Sequence, residues 1–248
     1  MPTETLRYRE FHDEVVAALS PLGNARLGLS IQKDRRSELS YLGVRFPALR
    51  TRVRQGFSFA ALDTDEVLSV WDNLWQCSPF GDVLFAALEH YMPIVRKQAE
   101  SQLWPVLRHW VDRLDNWCHC DMLSGVYSHF LEQNFEIVYP QLVSWNTAEG
   151  LWQRRTSLVS LVHNSGKHAV FLPLDHVLPM ALNCLGDSRH YVQTAVGWVL
   201  REMGRVYPTD VACFVEEHVT QFSATAFSRT IERLPVDSSH HLRGLRRG

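Results

Sequence analysis

Residues 104–110 read WPVLRHW, and thirty-five positions on, residues 139–145 read YPQLVSW. Proline suits the first turn of a helix, where its missing N–H would have had no partner anyway. Pro173 and Pro208 continue the series, so that Pro105, Pro140, Pro173 and Pro208 are separated by 35, 33 and 35 residues. A helix opened by proline every thirty-odd residues, with a second helical pattern between, is the mark of stacked two-helix repeats. This stretch therefore predicts an all-α chain, a single curved solenoid whose helices bury one side and leave a concave groove. An irregular helical bundle stays open beside it, because the repeats match weakly beyond their prolines and aromatics.

Working outward, the remaining sequence also reads as amphipathic helix, and strand alternation is hard to find. Tyr8, Phe11, Val15, Val16 and Leu19 form a helical stripe that ends at Ser20-Pro21, and a polar, basic segment follows to about Ser40. Pro47 can open the next helix. Asp63 with Glu66 three residues on has the pattern of a capping box, and Ser78-Pro79 that of a cap followed by a first-turn proline. No linker rich in glycine, serine or proline interrupts the chain, which predicts one helical-repeat domain over residues 1–237. The closing SSHHLRGLRRG, residues 238–248, reads as a basic, disordered tail able to add non-specific phosphate attraction.

The 248 residues carry a formal net charge of −2, which by itself points to no polyanionic or membrane partner. The distribution says more. Residues 26–54 hold eight basic side chains against Asp34 and Glu38, whereas residues 55–91 hold six acidic side chains and no lysine or arginine. Such separation suits one basic face for a polyanion. The five cysteines are odd in number and include no CxxC pair, which predicts reduced thiols in the cytoplasm. The N-terminal MPTETLRYRE lacks the apolar core of a signal peptide, and no run is long enough to span a bilayer.

Three segments could carry chemistry: NWCHCD at 116–121, LWQRR at 151–155 and AVGWVLRE at 195–202. With Asn116 as a cap, Trp117 and Asp121 lie one helical turn apart on one surface. An aromatic face beside a carboxylate is a minimal device for holding a developing positive charge. Trp198 and Arg201 likewise share a face. Gly197 inside that helix costs roughly 1 kcal/mol relative to alanine, so a close approach is expected there. Arg154 and Arg155 point about 100° apart, and at most one faces the groove. The plain alternatives are a core tryptophan, a solvated carboxylate and solvated arginines. Cys118, His119 and Cys120 do not make a zinc site, because neighbours on a helix diverge and no second Cys/His pair supplies four ligands. Gly-rich phosphate loops, HExxH and GxSxG are absent from the sequence.

Taken with YLGVRFPALR at 41–50, these segments resemble the AlkD-like DNA alkylation repair proteins, helical-repeat DNA glycosylases of the HEAT-like kind. AVGWVLRE is very close to that family's most recognisable segment, and the order of the four segments extends the likeness over nearly the whole chain. The resemblance implies hydrolysis of the N-glycosidic bond of purines alkylated at N3 or N7 in duplex DNA, without a base-flipping pocket. It implies Asp121, Trp117 and Trp198 as the catalytic set, Arg155 on a phosphate near the lesion, and Arg201, Arg45, Arg50, His163 and Lys167 as further DNA contacts. No cofactor or metal is implied, and the protein would act as a monomer on alkylated double-stranded DNA, cytoplasmic in a bacterium and nucleoid-associated when bound. Arg45 stands where relatives have glutamine, and Asp34 where a tyrosine is expected. A non-catalytic protein binding distorted or branched DNA through its backbone is the competing function, and a helical protein–protein scaffold the third.

Overall fold

A computed structural model describes residues 2–162 and 172–247, with side chains from residue 7 onward. Among these residues every regular element is helical, and the one extended pairing is a single bridge between Ser40 and Phe80. No helix among them is long and apolar enough to cross a membrane. The chain forms two compact units, residues 1–126 and 127–248, each built by itself around its own helices.

The first unit contains α1 (Pro2–Leu19), α2 (Ala25–Arg35), α3 (Phe46–Arg54), α4 (Thr64–Cys77), α5 (Gly81–Lys97), α6 (Trp104–Leu107) and the opening turns of α7 (Trp117–Gln133). The start of α4 is set by Asp63, whose carboxylate accepts the Glu66 N–H at 2.9 Å. Pro47 lies in the first turn of α3, where its sequence position placed it. Half of the polar segment that follows Pro21 is helical as α2, capped by Asn24, which accepts the Leu27 N–H at 2.9 Å. Ser78 is not the cap of α5. It closes α4, and Phe80 precedes α5 without a side-chain cap bond, because Ser78 Oγ turns to accept the Phe80 N–H at 3.1 Å.

Helix α5 is buried on all sides from Gly81 to Glu89, as befits a central element. Trp75 and Trp110 stack beside it with ring centroids 4.5 Å apart, and their indole N–H groups donate to Trp110 O and Asp72 Oδ1. The buried Asp82 accepts the backbone N–H groups of Leu42 (2.7 Å) and Val44 (2.9 Å). This pins the YLGV segment onto α5. Gly43 between them has φ +76°, and a Cβ there would stand 2.2 Å from Asn24 O and 2.6 Å from Gly28 N. Only glycine fits.

The second unit holds the rest of α7, then α8 (Phe135–Asn146), α9 (Leu151–Val159), α10 (Leu174–Leu185), α11 (His190–Met203), α12 (Pro208–Glu217), α13 (Ala224–Thr230) and α14 (Val236–Leu245). Helix α8 packs on α9 and α10 on α11; α9, α11 and α13 lie side by side, as do α8 and α10. That is the packing of stacked helix pairs. Pro105 and Pro208 sit in first turns and Pro173 immediately precedes α10. Pro140 departs from the series: it lies inside α8, on an exposed position where water can satisfy the carbonyl its missing N–H leaves open.

Nor are residues 238–248 a disordered tail over the span described. Residues 238–245 belong to α14, which buries Leu242 and Ser239; Ser239 Oγ donates to Ile231 O at 2.9 Å, and the guanidinium of Arg246, just past the helix, donates to Phe222 O at 2.9 Å. Polar composition concealed one buried leucine and these local caps.

Candidate functional site

The opening turn of α7 is fastened from several directions. Asn116 Oδ1 accepts the N–H groups of Cys118 (3.0 Å) and His119 (3.1 Å), which makes it the helix cap. Its amide nitrogen reaches Asp115 Oδ1 (2.6 Å), His119 Nδ1 (2.7 Å) and Tyr41 Oη (3.2 Å). Asp115 Oδ2 in turn accepts from Ser37 Oγ and the Glu38 N–H. His119 is fully buried against Phe85, and its Nε2–H donates to Gly81 O at 3.0 Å. Burial pushes the imidazole down to about 4, so it is neutral near pH 7 with Nδ1 as acceptor. Cys120 is buried as well, and burial raises the half-buried Cys118 thiol. The residues that first suggest a metal site hold the helix in place.

Because of that anchorage, Trp117 and Asp121 emerge on one side of α7, one turn apart, both partly exposed. They are the two residues that the sequence analysis expects to act together, and both lie in the first unit.

Arg155, Trp198 and Arg201 lie in the second unit, on the adjoining α9 and α11. Trp198 is partly exposed, and Gly197 beside it lets α13 come close: a Cβ would meet Arg229 Cβ at 2.7 Å and Ala226 O at 3.0 Å. The close approach expected from that glycine is therefore present. Arg155 is only 5 % exposed, and its Nη1 donates to Tyr191 O (2.6 Å) and Thr194 Oγ1 (2.8 Å). Arg154 donates to Ala148 O (2.8 Å) and Asp187 Oδ2 (3.1 Å). Arg201 is paired with Glu202 (2.9 Å) and Glu232 (3.2 Å). Both candidate DNA contacts thus carry protein partners that spacing alone could not reveal.

The basic run of the first unit is divided in the same way. Arg50 makes a two-point pair with the buried Glu89 at 2.8 and 2.7 Å. Arg35 lies over Tyr41 and Phe85, and Arg52 over Phe57. Arg45 is exposed at the head of α3. His163 and Lys167 fall outside the described residues. Arg54 and Arg96 were not singled out by sequence; both are exposed, with no hydrogen bond or ion pair among the described residues. They flank a cavity of about 590 Å³ lined also by Phe46, Arg50, Glu89, Met92, Pro93 and Met122, the last being the residue after Asp121. The signal available for Arg96 was its place in the last, basic turn of α5.

With this geometry in hand, comparison with known proteins is decisive on one point. A family described as DNA alkylation repair enzyme matches residues 15–234. The chain belongs to that family. The matched span takes in both units and ends just before α14. Among solved structures, the chain is similar to a predicted DNA alkylation repair enzyme from Enterococcus faecalis, with TM-score 0.73 and 14 % identity over 86 % of this chain and 97 % of that one. It is also similar to AlkD2 from Streptococcus mutans, with TM-score 0.57 and 13 % identity over 85 % and 99 % of the two chains. A third likeness is to smu.31 from Streptococcus mutans UA159, with TM-score 0.52 and 13 % identity over 90 % and 96 %. At such identity these structures establish the fold alone. No curated protein matches. The DNA alkylation repair family is thus reached through an all-α helical-repeat fold whose α7 presents a tryptophan and a carboxylate side by side.

Proposed function

We propose that this member of the DNA alkylation repair family is a DNA glycosylase that removes N3- and N7-alkylated purines from duplex DNA. The observation that carries the reading is the pair Trp117 and Asp121, partly exposed together on a turn of α7 that the Asn116 and His119 hydrogen bonds hold in place. An alkylated purine of this kind bears a positive charge, so its glycosidic bond breaks with the electron pair moving to the base, which leaves neutral. The deoxyribose develops oxocarbenium character at C1′. The Asp121 carboxylate stabilises that charge and takes a proton from the water that attacks C1′, leaving an abasic sugar. The Trp117 face contributes a cation–π attraction of about 0.5–2 kcal/mol. Trp198 is the second aromatic of the proposed set. Arg155 is the proposed contact to a phosphate near the lesion, which it would reach by exchanging bonds it makes to Tyr191 and Thr194. Arg45, exposed at the start of α3, is the more available phosphate contact. The protein would do this as a monomer, with water as the only co-reactant.

Release of 7-methylguanine from methylated duplex DNA tests the reading. Asp121→Asn should lower the rate at least 100-fold, the scale of a lost electrostatic and base contribution, with the melting temperature unchanged. If the wild-type chain binds methylated DNA and releases no base at any salt concentration, it is a non-catalytic DNA-binding member of its family.

A further inference from the structure

The cavity beside α7 has a composition that the reaction above does not use. Part of its lining is apolar: Phe46 from α3, Met92 and Pro93 from α5, and Met122 from α7. Helices α5 and α7 approach closely beside it, a Cβ on Gly125 standing 3.2 Å from Met92 Cε. Its rim is cationic. Arg54 and Arg96, exposed and without partners among the described residues, offer two guanidinium forks to an oxyanion. The lining also includes Glu89, buried, with both oxygens fixed by Arg50 at 2.7 and 2.8 Å. Each of those oxygens keeps a further lone pair, so the wall presents a fixed acceptor.

Apolar lining, two cations without partners among the described residues and an oriented carboxylate fit a nucleotide. A base lies flat on methionine and phenylalanine, a phosphate bridges two arginines, and a carboxylate accepts from an exocyclic amino group such as cytosine N4. Fatty or purely aromatic ligands would leave Arg54 and Arg96 unused, and a bare phosphate would leave the apolar lining uncovered. We propose that this recess receives one nucleotide of the DNA strand, base inward and phosphate between Arg54 and Arg96, with preference for an amino-bearing base over thymine. It deepens the glycosylase reading in that DNA is the partner. The nucleotide held there is one flanking the reacting residue, because Met122 and Asp121 are consecutive on α7 and diverge by about 100°.

Methyl NMR of the full chain labelled at its methionines gives a local readout. Met92 and Met122 line the recess, while Met180 and Met203 are buried in the second unit and serve as controls. Deoxycytidine monophosphate should shift the Met92 and Met122 methyl signals and leave the controls in place, and a short single-stranded oligocytidylate should do so at lower concentration. Thymidine monophosphate should bind more weakly, and Arg54→Ala or Arg96→Ala, both at exposed positions, should weaken binding about tenfold, the loss of roughly 1.4 kcal/mol. The inference is overturned if Met92 and Met122 do not respond, if inorganic phosphate produces the same shifts as the nucleotide, or if both arginine variants bind as the wild type does. Base release from methylated DNA by the same samples separates the two readings: a chain that binds the nucleotide and releases no base keeps the recess and loses the glycosylase, and the converse result does the opposite.

Discussion

Acidification should unfasten α7 through His119. The imidazole is fully buried, accepts from Asn116 at Nδ1 and donates to Gly81 O from Nε2. Burial lowers it to about 4 from an ordinary 6.5; the hydrogen bond to Gly81 and the nearby Asp115 oppose the shift, and the fields of Arg35 and Arg113 reinforce it. In the unfolded chain the same side chain takes up its proton near pH 6.5. Below that pH the unfolded state binds more protons than the folded one, so stability falls with pH, with a slope of about 1.4 kcal/mol per unit for one proton. The contribution is intact above pH 6.5, is lost progressively down to pH 4, and amounts to roughly 3 kcal/mol over that interval. His90, also lowered to about 4 by burial, titrates in the same window and adds to the slope.

Urea denaturation of the full chain, followed by circular dichroism at steps from about pH 7.5 to 4, measures this slope directly. His119→Gln keeps a donor for Gly81 O and removes the titration. The variant should be less stable at pH 7 and lose stability less steeply on acidification, by about one proton's worth. An unchanged slope in His119→Gln would refute the assignment, and would mean that His90 carries the acid sensitivity in this window.

Two further substitutions test the supports of the site. Gly43→Ala forces a side chain into a φ of +76° and onto Asn24 O; it should cost at least about 3 kcal/mol and lower the melting temperature by roughly 6–12 °C, read by calorimetry. Asn116→Ala removes the cap of α7 and the donor to His119, which should cost about 2–3 kcal/mol by denaturation and reduce base release as the turn holding Trp117 and Asp121 frays.

Helix content, the cap at Asn116 and the cap of α4 at Asp63 were legible because each depends on neighbours within a turn or two, and the close approach at Gly197 because a glycine inside a helix is costly without one. Pro140 and the C-terminal helix were not, since both depend on what tertiary packing tolerates. A proline inside α8 is admitted by exposure, and α14 forms because it packs on α12 and its Ser239 donates to Ile231 O in the turn after α13. The arginines show the same limit most clearly. Spacing assigns a face to Arg50, Arg155 and Arg201, but Glu89, Tyr191 and Glu232, which engage them, lie 31 to 39 residues away. Arg54 and Arg96 find no such partners among the described residues, a difference in long-range pairing and not in local pattern.

The same reasoning explains why the eye goes first to Cys118, His119 and Cys120 and why the chemistry belongs elsewhere on the turn. A helix that offers a carboxylate to solvent must be held by its other side, and that side is built from groups that would otherwise suit a metal. Neutral His119 serves because it both accepts and donates; a charged imidazolium there would lose the Asn116 bond and face Arg35 and Arg113. The two layers are therefore separable. Asp121→Asn should remove base release and spare stability, whereas His119→Gln should lower stability and spare base release at neutral pH per folded molecule. If the two variants behaved alike in both assays, Asp121 would be one more support of the helix and the proposed chemistry would have no residue to carry it.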